Sequence, residues 1–152
     1  MSKIYKNTSS RLAAIQLLYA LETSSDTNIR EEVIDEDLLK KLMKYKDISA
    51  SEKFSIDDEK ISKKFVFKLI QTTISSLDEI DIVIEQNLDK IESMKHINIL
   101  LMSVLRCAIS ELKHFDTPHK VVIKEYLKVA STFFKDTEVS FINGLLDKVV
   151  NS

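Results

Sequence analysis

Apolar residues recur along this chain at intervals of three and four, the spacing that gathers them on one face of an α-helix. From Arg11 to Glu22, RLAAIQLLYALE, nearly every position is apolar, which predicts a helix without a polar face at the centre of the packing, with Ser9 or Ser10 as its cap. After the polar turn ETSSDTN a second helix is expected around Ile29, Val33, Leu38 and Leu42, and then a serine-rich surface loop over about 46–57. Ile61, Phe65, Leu69 and Thr73 mark a third helix ending near Ser75 or Ser76. Leu77, Ile80, Ile84, Leu88 and Ile91 mark a fourth, with Ser76 and Glu79 at capping-box spacing. The fifth carries a wide stripe from Ile97 to Leu112, with Ser103, Arg106 and Ser110 on another face.

The sixth helix buries Val122, Tyr126 and Val129 and presents Lys120, Lys124 and Lys128 as a ladder, either a solvated face or a phosphate contact. The seventh, capped by Asp136 or Thr137, buries Ile142, Leu145 and Leu146 and leaves Ser140, Asn143, Gly144 and Asp147 on one small polar side. Pro118 suits the first turn of the sixth helix, with Thr117 as cap. Gly144, inside a helix, costs roughly 1 kcal/mol against alanine, which asks for a packing or contact reason.

Composition narrows this further. One glycine and one proline in 152 residues leave little material for hairpin turns, so the fold class is all-α, about seven helices in a single domain. No apolar run approaches the ~20 residues that cross a bilayer, and the N-terminus has no signal-peptide core, so no membrane is expected and the location is read as cytoplasmic. The net charge of -2 is unevenly spread: residues 1–20 hold Lys3, Lys6 and Arg11 with no acid, and residues 21–60 hold twelve acids against seven bases. Such an arm is either a solvated leader or an attractor for phosphates.

Catalytic chemistry finds little support. A single glycine excludes the glycine-rich phosphate loops, and His96, His114 and His119 lack ligand spacing, so no enzyme, no cofactor and no metal are expected. Cys107 reads as a small buried filler. Arg106 either pairs with a carboxylate, Glu111 or Glu125, or faces an external anion. Gln16 is a satisfied core amide or a contact at the rim. Asp78 and Asp81 lie in solvent-type helix patterns.

Four words carry a family resemblance: R-x-A-x-Q-x-L-Y in Arg11 to Tyr19, L-R-x-A-x-x-E-L in Leu105 to Leu112, P-x-K-V-x-I-x-E in Pro118 to Glu125, and F-I-N-G-L-L-D-K in Phe141 to Lys148. In this order they resemble the transcription antitermination factor NusB family, over the first helix and about residues 61–150. The resemblance implies two small three-helix bundles, an N-terminal one over about 9–76 and a C-terminal one over about 77–150. It also implies a non-catalytic factor that binds the boxA element of nascent ribosomal RNA together with the ribosomal protein NusE and joins an RNA polymerase antitermination complex. A homodimer is compatible with it.

Carried over by position, the resemblance puts RNA on Lys3, Lys6, Arg11, Gln16, Phe141 and Asn143, with Phe133 as a second stacking ring, and the protein partner on Tyr19 and Leu101. Cations on phosphates and rings under unpaired bases suit single-stranded RNA, although either ring could equally be core. The chain departs from the family pattern in an arginine-poor arm, in Ser140 where a lysine often precedes the phenylalanine, and in a longer segment from Thr23 to Asp57. Two other readings compete: a protein-interaction module with weak RNA binding, and the RNA-binding domain of a ribosomal RNA cytosine methyltransferase.

Overall fold

A helix with no polar face has to be covered on all sides, and α1 (Thr8–Thr23) is, with Leu12, Ala14, Ile15, Leu17 and Leu18 wholly buried. The structure is a computed structural model that describes residues 8–24, 28–29, 34–44, 61–88 and 97–152. Among them are seven helices and no strand. After α1 come α2 (Glu36–Lys44), α3 (Lys63–Ser75), α4 (Leu77–Gln86), α5 (Ile99–His114), α6 (His119–Phe133) and α7 (Asp136–Asn151). The expected loop over 46–57, and Val33, Ile91 and His96, lie outside the described residues.

Helix α1 packs on α3, α5 and α6, with α2 touching it more lightly. Helix α5 is the other central element and packs on α1, α3, α4, α6 and α7. The dividing line expected at residues 76 and 77 falls at the one-residue joint between α3 and α4. The apolar core continues across it, joining Leu69 and Ile70 of α3 to Leu105 and Ile109 of α5 and Ile142 of α7 in one cluster.

The interiors of the helices follow the hydrophobic period, but several ends do not follow the expected caps. Ser9 and Ser10 lie inside α1 rather than before it. Ser76 does not close a capping box with Glu79: its φ of -110° and ψ of 16° are those of a joint whose backbone N–H donates to Thr72 O at 3.1 Å, so the residue is spent on ending α3. Pro118 is the cap residue, not part of the first turn, and its carbonyl accepts from Val121 and Val122 at 2.9 and 3.0 Å. At α7 the cap position is Lys135, whose N–H donates to Glu138 at 2.9 Å. Side-chain caps appear instead at Ser62, which accepts from Phe65 N, and at Asn98, which accepts from Leu101 N.

Cys107 is wholly buried on α5, and burial, reinforced by the negative charge of Glu111, pushes its thiol far above the ordinary range. Its reaction with a disulfide reagent should therefore be limited by opening of the fold. A time course in native buffer and in urea checks this, and rapid labelling under native conditions would contradict it.

Candidate nucleic-acid interface

The end of the molecule where α1 begins is built around a buried charge. Arg11 is 0% exposed, and its Nε and Nη2 donate to Glu111 Oε1 and Oε2 at 3.0 and 2.6 Å in a two-point fork. Nη1 stands 3.7 Å from Glu125 Oε1. Tyr126 donates its hydroxyl to Glu111 at 2.9 Å, and Thr8 donates to Glu125 at 2.6 Å. The guanidinium lies 5.2 Å from the Phe65 ring centre and 6.0 Å from that of Tyr126. Burial works against the Arg11 charge, but the hydrogen bonds to Glu111 and the charges of Glu111 and Glu125 outweigh it and hold the group above its ordinary value.

Arg11 was expected on the RNA, and the structure corrects this. Its guanidinium is turned inward onto two acids of α5 and α6, so it holds the helices together and presents no donor to a phosphate. Lys3 and Lys6 lie outside the described residues. The surface around the root of α1 is nevertheless basic. The Ser62 N–H donates to Ser10 Oγ at 2.8 Å, which sets the first turn of α3, with Lys63 and Lys64 exposed, beside the first turn of α1. On α6, Lys124 and Lys128 flank the Glu125 that Thr8 binds. Lys128 reaches that carboxylate at 3.7 Å, and Lys124 is exposed. Lys68 lies over the Phe115 ring at 4.7 Å.

A second cluster forms around Arg106, which was expected to pair with Glu111 or Glu125. It pairs instead with Asp81 of α4, Nε and Nη2 both at 2.9 Å, and with Glu22 of α1 at 2.5 Å. Asp81 is therefore no solvated acid. Three exposed apolar residues lie on the helices that this triad joins: Tyr19, three residues before Glu22 on α1; Ile82, next to Asp81 on α4; and Ile99, seven residues before Arg106 on the same face of α5. They are 39%, 54% and 49% exposed. Leu101, expected to meet a partner, is 5% exposed and belongs to the core, because the stripe of α5 starts there; its exposed neighbour is Ile99.

On α7, Ser140, Asn143, Gly144 and Asp147 are exposed, and Phe141 is half-buried against the core. A Cβ placed on Gly144 would meet nothing within 4 Å, so no packing inside the described chain demands glycine there. Phe133 is half-buried and packs edge-on against Phe134, ring centres 6.4 Å apart. Gln16 is half-buried, and its Oε1 has no hydrogen-bond partner among the described residues.

A family model described as the NusB family matches residues 8–151. The chain belongs to the NusB family. Among curated relatives, the transcription antitermination protein NusB of Rickettsia bellii is 30% identical over 151 residues, covering 99% of this chain and 93% of the relative. That of Rickettsia rickettsii (strain Sheila Smith) is 31% identical over 156 residues, with 97% and 93% covered. Among solved structures, NusB of T. maritima superposes with a TM-score of 0.71 at 25% identity, covering 96% of this chain and 91% of that one. A crystal structure of the antitermination factors NusB and NusE in complex with dsRNA gives 0.68 at 21% identity, covering 97% and 96%, a likeness of fold.

On the NusB fold of this chain, the word in α1 contributes Arg11 to the interior and Tyr19 to the surface, while the word in α7 leaves Asn143 and Gly144 outside. Sequence reasoning missed Lys63, Lys64, Ile82 and Ile99 as surface features. A signal for Ile82 and Ile99 was present, since each is an apolar residue off its helix's inward stripe.

Replacing Arg11 by alanine strands Glu111 in the interior. Urea unfolding should show a loss of about 3–5 kcal/mol, the range for breaking a buried pair, and a loss below about 1 kcal/mol would contradict the geometry.

Proposed function

We propose that this chain binds boxA-type RNA of nascent ribosomal transcripts together with the ribosomal protein NusE, and that the pair joins an RNA polymerase antitermination complex in the cytoplasm. The carrying observation is the family match over residues 8–151, with relatives at 30 and 31% identity that bear the name transcription antitermination protein. As a member of this family the chain is a non-enzymatic RNA-binding factor. Among the described residues no cluster of histidine, cysteine or acidic groups has the make-up of a metal site, and no helix is long and apolar enough to cross a membrane.

RNA contact is assigned to the arm with Lys3 and Lys6, to the open side of α7 with Phe141 and Asn143, and to Phe133 and Gln16 at the margins. A half-buried ring can present one face to a base while the other remains packed. The absence of any neighbour where a Gly144 side chain would project leaves room for a ribose or phosphate to come close. The protein partner is assigned to the patch of Tyr19, Ile82 and Ile99. Large apolar side chains held in fixed positions by an ion-paired base are suited to anchoring a partner.

Titrating boxA RNA against the chain with and without NusE should show a preference of about tenfold or more over a scrambled sequence when NusE is present. Equal affinity for both sequences would remove the proposal. Duplex RNA of the same sequence distinguishes single-stranded readout from shape. Tyr19→Ala should weaken NusE binding by about tenfold, the size of a moderate interface anchor, while leaving the unfolding midpoint in place.

A further inference from the structure

We propose that the lysines beside the root of α1, Lys63 and Lys64 on α3 and Lys124 on α6, form a phosphate-binding rim that carries the RNA backbone onto the body of the protein. The inference rests on the RNA-binding reading above and extends it to residues that the reading does not assign. Four observations lead to it. First, Arg11 is consumed internally, so the first turn of α1 offers no cation of its own to a phosphate. Second, hydrogen bonds fix both neighbours of that turn: Ser62 to Ser10 at 2.8 Å on the α3 side, and Thr8 to Glu125 at 2.6 Å on the α6 side. Lys63 and Lys64 follow directly on the first contact and Lys124 directly precedes the second.

Third, these three lysines are exposed and make no ion pair among the described residues. The acids closest to the root, Glu111 and Glu125, are by contrast already engaged by Arg11, Tyr126, Thr8 and Lys128. Fourth, Lys63 and Lys64 stand where their charge is unfavourable to the helix that carries them. The first turn of α3 holds no acid, and Lys63 and Lys64 face the positive end of the helix dipole. Lys64 and Lys68 also repel one another at i, i+4. A polyanion across this end would relieve both costs. Asp116 is the exposed acid on the link between α5 and α6, and Asp57, Asp58 and Glu59 lie outside the described residues.

An RNA strand is the occupant that fits, because its phosphates form a row of single charges that separated lysines can meet one by one, with no pocket required. Lys3 and Lys6 precede Thr8 in the sequence, and Thr8 itself is tied to Glu125, next to Lys124. The rim supplies cations that the arginine-poor arm lacks.

The test is the salt dependence of RNA binding by the full chain, with boxA and scrambled RNA of equal length, for the K63A/K64A/K124A variant and for K40A/K41A. The control changes two exposed lysines of α2. Loss of three phosphate contacts should lower the slope of log K against log salt by about 2, at roughly 0.7 per contact for a single strand, and lower affinity about tenfold or more at moderate salt. The control should keep the wild-type slope, and both variants should keep the wild-type unfolding midpoint. Equal slopes in the triple variant and the wild type overturn the rim, and so does an equal drop in the control, which would assign the effect to net charge. If the slope falls in the triple variant but boxA is never preferred over the scrambled strand, the rim stands and the antitermination reading falls.

Discussion

The fold depends on how the charge of Arg11 is neutralised inside the protein. A guanidinium that is wholly buried must be hydrogen-bonded and paired, since a lone buried charge costs more than a domain of this size can offset. Glu111 answers it with both oxygens, Tyr126 completes Glu111, and Glu125 stands at the third side and takes the Thr8 hydroxyl. This network ties the beginning of α1 to the end of α5 and the middle of α6, elements about a hundred residues apart in sequence. It fixes their register as well as their contact, because a two-point fork accepts little rotation.

The surface chemistry follows from that constraint. With Arg11 and the two acids engaged with one another, the exposed cations beside this end among the described residues include Lys63, Lys64 and Lys124. At the Arg106 triad a second buried base performs the same office for α1, α4 and α5, the helices that carry the exposed apolar residues Tyr19, Ile82 and Ile99. The molecule thus uses each of two arginines to brace three helices and leaves lysines or apolar side chains outside. Arginine suits the bracing role because its planar fork stays charged when buried; lysine suits the outer role because a flexible point charge can follow an irregular backbone.

Much of this architecture could be read from the sequence. The 3.6-residue period carried the helices, and the family words carried the kinship, because both are local in the chain. Helix ends were less legible. Ser76 had the residue type and spacing of a capping box, but a joint of one residue imposed a backbone that the box cannot use. Arg11 was misread as an RNA contact because its partners lie in α5 and α6. One sign was available: a helix that is apolar nearly all round has no wet face on which an arginine could sit. For Arg106 the sequence leaves open a pairing with Glu111 or Glu125 and an external anion, since its actual partners Asp81 and Glu22 become neighbours only when α1, α4 and α5 pack. Of the lysines beside the root of α1 only Lys124 was legible as a possible phosphate contact, in the ladder of α6; its grouping with Lys63 and Lys64 depends on packing, because they lie in separate segments.

Burial and pairing make Arg11 a structural brace rather than an RNA ligand. The most direct test replaces the pair together, Arg11→Met with Glu111→Leu, so that Glu111 is not stranded and Glu125 keeps Thr8 and Lys128, and measures RNA affinity across salt in the folded variant. The salt slope of the variant should equal that of the wild type. A slope smaller by about 0.7, the loss of one phosphate contact, would contradict it and return Arg11 to the RNA.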